Sequence, residues 1–193
     1  PMTRRHAVIA MTAILVAVGA ILIGWQVGQR RSEPAGVEGS ASPQFAAVTG
    51  EMITVEIFFP GPGGRLFAEQ RDLPVQDDLL TQLRGVLEGL IAGPTSEDLF
   101  AALPPGVALK WLHLNPAGIF YVDLEFAAEE PLPAWGSRQE MLAVYSIVNT
   151  VLTAAPEISA VVLLRNGQQQ ATFAGHLDTS RPLLANPQLV AQR

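Results

Sequence analysis

This sequence contains no cysteine, so disulfide bridges, thiol catalysis and cysteine-ligated metals are excluded from its 193 residues. For the same reason it offers no cysteine for N-terminal lipid attachment. Histidine is also scarce, with three in all, and His6 precedes a long apolar run. The remaining two are too few for a spaced histidine metal site. We therefore expect no metal and no cofactor.

Positive charge is scarce as well, and Lys110 is the sole lysine. The chain has 12 Lys and Arg against 18 Asp and Glu, a formal net charge of −6, and the acid excess lies after residue 51. A chain of this sign has no electrostatic footprint for nucleic acid or anionic lipid. The sequence also lacks a Gly-x-Ser-x-Gly motif, a phosphate loop and a dinucleotide fingerprint.

A run of uncharged, mostly apolar residues does stand out, from Ala7 to Val27, with two arginines on each side. At about 1.5 Å per helical residue, such a run just crosses a ~30 Å hydrocarbon layer. We predict a single-pass transmembrane signal anchor over residues 7–28, after a short tail of residues 1–6. A cleavable secretory signal is the alternative, although its apolar core is usually about 7–15 residues long. The equal arginine counts leave the orientation open.

The rest of the chain divides by composition. Residues 29–51 are rich in Gly, Ser, Ala and Pro and predict a flexible tether. Residues 52–183 have the length and patterning of one domain, and residues 184–193 form a C-terminal tail.

Alternating apolar residues predict a first strand over residues 52–59, and the mixed residues 66–73 are compatible with a short second strand. Leucines at helical spacing then predict a helix that begins at Asp77 or Asp78 and ends at Gly93, followed by a short helical turn after Thr95. Gly85 and Gly89 leave one flank of this helix almost bare. They are either a tolerated weakness or candidate interaction residues for the close approach of another backbone.

Two hairpins are predicted further on. The first turns at residues 115–118, and the second joins residues 160–164 to residues 169–173 through Asn166 and Gly167. If Leu114 faces Ile119 in the first hairpin, Lys110 lies opposite Asp123. The same register places His113 and Trp111 on the buried face, which makes His113 a packed residue rather than a ligand.

A second helix is predicted from a capping box at residues 137–140 to about Ala154. Most of its circumference is apolar, and its polar stripe is uncharged. A helix this apolar must be covered on more than one side, either by the chain's own tail or by a partner. The stripe consists of Ser146, Asn149, Thr150 and Thr153, and the first three of these are further candidate interaction residues. Together these elements predict an α/β (α+β) domain with a mixed β-sheet and two helices packed on one face.

One Ser/His/Asp grouping occurs, formed by His176, Asp178 and Ser180. Alternate positions of one segment do not easily converge as nucleophile, base and orienting group. We expect Asp178 and Ser180 to bond backbone in a turn, and we keep both as candidate interaction residues. Glu129 and Glu130 are adjacent acids of a loop, which are usually solvated. No catalytic residue is predicted.

Six short motifs occur in order along the domain. They are Val55–Pro60, Leu90–Thr95, Leu103–Gly106, Tyr121–Leu124, Ile147–Thr150 and Gly175–Leu183. In this order and spacing the chain resembles the GerMN domain of sporulation and spore germination proteins and of other bacterial envelope proteins. The resemblance covers about residues 52–183. This chain carries one such domain, whereas the sporulation proteins can carry two.

The resemblance implies an exported, membrane-attached, non-enzymatic domain that lies outside the cytoplasmic membrane. We therefore expect an interaction or scaffold domain that helps assemble or regulate an envelope complex, with envelope proteins or a second copy of the chain as partners. The alternative is a module that binds a cell-wall glycan or peptide in a pocket beside the second helix. Such a pocket would be lined by Tyr121, Asp123, Asn149 or His176. An envelope hydrolase is the remote alternative.

Overall fold

The computed structural model describes residues 50–126 and 135–192. The predicted anchor at residues 7–28, the tether up to residue 49, and the adjacent acids Glu129 and Glu130 lie outside the described residues. Within the described ranges, no helix is both long and apolar enough to cross a membrane.

The first two predicted strands are present, and they form an antiparallel hairpin. β1 spans Met52–Gly61 and β2 spans Arg65–Pro74, and they pair without interruption from Met52 opposite Pro74 to Gly61 opposite Arg65. Both strands are longer than the sequence pattern indicated. The turn between them uses Gly63 and Gly64 with φ of 69° and 66°, a left-handed conformation that favours glycine.

Helix α1 spans Leu79–Ala92, and both of its predicted ends are confirmed. Oδ1 of Asp78 accepts the Thr81 N–H at 2.9 Å, and the Gly93 N–H donates to the Leu90 carbonyl at 3.1 Å. These bonds satisfy groups that a helix end leaves without partners. The helical turn expected after Thr95 is absent, since residues 95–98 form only a bend and a turn.

Helix α2 spans Ser137–Ala154. The predicted capping box is wrong, because the N-cap residue is Gly136, which has no capping side chain, and the Glu140 carboxylate bonds a distant loop instead. The end of the helix is as predicted, with the Ala155 N–H donating to the Val151 carbonyl at 2.9 Å.

A second sheet has the order β3-β4-β5, formed by Ala108–Leu114, Ile119–Glu125 and Ala160–Arg165. β3 and β4 are the antiparallel pair of the predicted first hairpin, and β5 runs parallel to β4. The described residues therefore contain two sheets, where one mixed sheet was expected. The outer edge of β1 meets a helix instead of a strand, since the Phe58 N–H donates to Oγ1 of Thr150 on α2 at 2.9 Å.

Both helices pack against the sheets to enclose the core. α1 contacts β1 and β3, α2 contacts β1 and β5, and the helices contact each other. The largest fully buried side chains include Ile57, Phe59 and Phe120. The α+β class with two packed helices is thus confirmed.

The predicted register of the first hairpin is wrong near its turn. Asn115 pairs with Ile119, through a backbone bond of 3.0 Å from the Asn115 N–H to the Ile119 carbonyl, so three residues rather than four form the loop. Because β4 keeps its predicted buried face, this shift by one residue turns the β3 side chains near the turn to the other face. Leu112 is therefore buried, whereas Trp111 and His113 are exposed.

A bulge between Leu109 and Trp111 restores the predicted register at the far end of β3. It removes Lys110 from the pairing, so Trp111 rather than Lys110 lies opposite Asp123. Nζ of Lys110 instead lies 4.0 Å from Oε1 of Glu125.

The second predicted hairpin is only partly present. The Asn166–Gly167 turn forms, and the Arg165 N–H donates to the Gln168 carbonyl at 2.9 Å, but residues 169–173 do not continue as a strand. The neighbouring position is taken by Leu183, which exchanges backbone bonds of 2.7 and 2.9 Å with Val161 on β5.

Candidate functional site

The buried carboxylate of Glu140 fixes the segment that follows β5. Its oxygens accept the backbone N–H groups of Ala174 at 2.6 Å, His176 at 2.8 Å and Leu177 at 3.0 Å, and one lies 2.9 Å from Nδ1 of His176. Burial raises the pKa of Glu140, but these bonds outweigh it and hold the pKa below its ordinary value. The carboxylate therefore serves as an internal anchor for the Gly175–Leu183 motif.

The polar stripe of α2 is also occupied by the chain itself. Asn149 accepts the Asn186 N–H at 2.9 Å and donates to the Asn186 carbonyl at 3.2 Å. Thr150 accepts from Phe58 on β1, and Ser146 is fully buried with its Oγ unpaired. Of the two ways to cover this helix, the structure shows the chain's own C-terminal segment on the Asn149 side. In this arrangement Ser146, Asn149 and Thr150 present no free surface.

Asp178 and Ser180 form the expected turn. Oδ1 of Asp178 accepts from the Ser180 hydroxyl at 2.6 Å and from the Ser180 N–H at 2.9 Å. These two bonds lower the pKa of Asp178. His176 is directed to Glu140 instead, so the three residues do not form a nucleophile, base and orienting group.

The two glycines of α1 have different surroundings. A Cβ on Gly85 would meet nothing within 4 Å, whereas one on Gly89 would lie 3.0 Å from Cδ1 of Ile57 on β1. Gly89 therefore allows close packing inside the domain. Gly85 faces open space and remains a candidate contact position.

The four residues named for a ligand pocket are not brought together. Asp123 accepts the Gly167 N–H at 2.8 Å, Asn149 bonds Asn186, and His176 bonds Glu140. Tyr121 has its ring centroid 6.0 Å from that of His113. Within the described ranges, no group of three acidic or histidine side chains is placed to hold a metal ion.

An exposed aromatic surface lies on the second sheet, and the sequence pattern did not predict it. The Trp111 and His113 rings stack with centroids 5.2 Å apart and an angle of 10° between their planes, and Tyr121 lies opposite His113 on β4. We call Trp111, His113 and Tyr121 the aromatic face. Trp111 is 48% exposed. The wrong register placed it in the core, although the alternation of β3 already separated Trp111 and His113 from Leu112.

These features define a small α+β domain. The polar side chains of its helices and motifs mainly bond the domain's own loops. The family model for Germane, described as sporulation and spore germination, matches residues 56–171. The chain therefore belongs to the Germane family, and the resemblance to GerMN domains is confirmed. No curated protein sequence gives a significant match.

Solved structures share the fold. The tandem GerMN domains of the sporulation protein GerM from Bacillus subtilis are 19% identical, with a TM-score of 0.57 over 72% of this chain and 48% of that one. The first GerMN domain of the same protein is 18% identical, with a TM-score of 0.52 over 68% and 97%. A protein described as a lipoprotein from Clostridium perfringens is 22% identical, with a TM-score of 0.50 over 76% and 97%. The chain thus spans about half the length of the tandem structure.

Proposed function

We propose that this chain is a membrane-anchored, extracytoplasmic interaction domain that helps assemble or regulate an envelope complex and catalyses no reaction. Membership of a family described as sporulation and spore germination supports this proposal. The side chains that could take part in catalysis support it too, because Glu140 and His176 bond each other and Asp178 bonds Ser180.

The observation that carries the proposal is the aromatic face. Protein interfaces are enriched in Trp and Tyr, and such side chains often supply a large part of the binding energy. Here an indole that is about half exposed stacks on an exposed imidazole on the outside of the second sheet. We propose that an envelope protein covers this face.

Site-specific crosslinking in intact cells tests this contact. The full chain would carry a photoreactive amino acid at position 111 or, as a matched control, at Leu184, which is 65% exposed. We expect a discrete adduct with an envelope protein from position 111 and none from position 184. Equal adducts from both positions, or none from position 111, would contradict the proposed contact.

Two other results would redirect the proposal. An adduct that contains only a second copy of the chain would make the aromatic face a self-association surface. Retention of the chain on purified cell-wall material, lost in Trp111→Ala, would favour the alternative of a glycan- or peptide-binding module.

The proposed location has its own test. A reporter enzyme that is active only outside the cytoplasm would be fused after Arg193. Activity is expected if the predicted anchor places the domain on the outer side of the membrane, and its absence from an intact, membrane-bound fusion would overturn this orientation.

A further inference from the structure

An open cavity of about 400 Å³ lies where the turn between β1 and β2, the loop before β3 and the first turns of α2 meet. This is within the usual size range of small-ligand sites, about 300–1,000 Å³. Its apolar walls include Phe100 and Leu142, and its polar side chains are Arg138 and Gln139. It shares no residue with the aromatic face.

Two glycines shape the wall of this cavity. A Cβ on Gly61 would lie 2.6 Å from Cδ2 of Phe67, and a Cβ on Gly64 would lie 2.6 Å from Nε of Arg138. Gly64 also has a φ of 66°. The turn thus lies directly against the Arg138 side chain, which no residue with a Cβ at position 64 would permit without displacement.

The facing loop is tied to the same strand. The Phe100 N–H donates to the Pro60 carbonyl at 2.8 Å, at the end of β1. Phe100 is nevertheless 59% exposed, and Leu142 on the helix side is 7% exposed. The cavity is therefore lined by one exposed aromatic side chain and one buried aliphatic side chain.

The charge in the cavity is unusual for this acidic chain. Within the described ranges, Arg138 has neither an ion pair nor a hydrogen bond, whereas Arg71 pairs with Glu69 and Arg84 pairs with Glu88. A guanidinium presents its N–H donors in a planar fork that matches a carboxylate. Since Arg138 has no partner among the described residues and lies beside apolar walls, it complements an apolar group that carries a carboxylate.

We propose that this cavity binds a peptide segment of a partner protein in which an apolar side chain lies next to a carboxylate. The carboxylate pairs with Arg138, and the apolar side chain lies between Phe100 and Leu142. The carboxylate belongs to an Asp or Glu side chain or to a chain terminus. This inference deepens the proposed function by giving the chemistry of a second contact.

Two small probes test the site without any cellular partner. N-acetyl-L-phenylalaninate carries the apolar ring and the carboxylate, and N-acetyl-L-phenylalaninamide has the same ring without the charge. Their binding to the full chain in nanodiscs would be measured by ligand-observed NMR, with empty nanodiscs as the blank. We expect the acid to bind at least about fivefold more tightly than the amide, because the ion pair is charge-assisted.

Variants separate the two parts of the site. Arg138→Gln should abolish the preference for the acid, whereas the matched control Arg84→Gln should retain it. Phe100→Ala, at an exposed position that does not disturb the core, should weaken the binding of both probes. Equal binding of acid and amide to the unmodified chain, absence of binding, or a preference that survives Arg138→Gln would each overturn the inference. None of these results depends on the aromatic face, so the proposed partner contact there is judged separately.

Discussion

Glu140 and His176 are joined twice, through the His176 N–H at 2.8 Å and through the ring Nδ1 at 2.9 Å from the same carboxylate oxygen. The second oxygen accepts from Ala174 and Leu177. A single residue in the first turn of α2 therefore fixes a loop more than thirty residues away. The Gly175–Leu183 motif is thus held in place by a residue that the sequence pattern assigned to helix capping.

The stability of the fold should depend on Glu140. Glu140→Gln replaces one accepting oxygen by an NH₂ group that faces backbone donors, so we expect a loss of about 3 kcal/mol in the free energy of unfolding. His176→Ala removes only the side-chain contact and should cost about 1 kcal/mol. Urea unfolding followed by tryptophan fluorescence measures both. Glu157→Gln, at an exposed glutamate, is the control, and an equal loss in this control would contradict the assigned role of Glu140.

Acid should weaken the contribution of Glu140. Burial raises its pKa, but its hydrogen bonds outweigh this effect and hold the pKa below its ordinary value. A group with a lowered pKa in the folded state stabilises the protein above its unfolded pKa, and this contribution is lost as the pH falls through the folded value. The difference in unfolding free energy between the unmodified chain and Glu140→Gln should therefore be constant above about pH 5.5 and shrink below pH 4.5.

A pH series of denaturant unfolding measures this difference. Glu69 also stabilises the folded protein in a way that acid weakens. Burial raises its pKa, but the hydrogen bonds from Ser96, Thr95 and Arg71 outweigh this effect and hold the pKa below its ordinary value. Glu140→Gln should hence flatten only part of the acid profile. A difference between the two proteins that grows as the pH falls would contradict the assignment.

Local signals in the sequence predicted several elements correctly. Asp78 and Gly93 mark the ends of α1 because capping depends on neighbouring backbone groups, and the alternation of apolar residues marks β1. The predicted register of the β3–β4 hairpin was wrong because Asn115 pairs with Ile119 and a bulge lies at Lys110. Side-chain alternation determines neither the loop length nor the position of a bulge.

The candidate site could not be predicted from local signals, because it depends on contacts between distant parts of the chain. The Glu140 anchor joins residues 140 and 174–177, and Asn149 joins α2 to residue 186, so neither pairing is visible in local spacing. The cavity beside Arg138 combines three separate segments. The aromatic face could have been found from the sequence, since Trp111 and His113 alternate with Leu112, had the loop been taken as three residues.

The glycines of α1 should respond differently to alanine. A Cβ at Gly85 meets open space, so Gly85→Ala should raise the unfolding free energy by about 1 kcal/mol through better helix propensity. A Cβ at Gly89 would lie 3.0 Å from Ile57, a fully buried residue. Crowding should cancel the gain there, and thermal unfolding compares the two. A Gly89→Ala variant as stable as Gly85→Ala would show that Ile57 can move aside. If Gly85 contacts a partner, the Gly85→Ala variant should remain stable. In intact cells, however, its crosslink from position 111 to an envelope protein should be weaker.

Asn149 should control how firmly the C-terminal segment is held. Its side chain makes two hydrogen bonds to the backbone of Asn186, one as acceptor and one as donor. Asn149→Ala removes both and should speed hydrogen exchange of residues 184–192 by about tenfold or more, since each bond contributes about 1 kcal/mol. Asn149→Asp keeps the acceptor but places a carboxylate beside the Asn186 carbonyl, so it should also speed exchange. Thr153→Ala, one helical turn further along α2, is the matched control. Unchanged exchange in Asn149→Ala would mean that the Leu66 carbonyl, which accepts the Ala191 N–H at 2.8 Å, is sufficient to hold the segment.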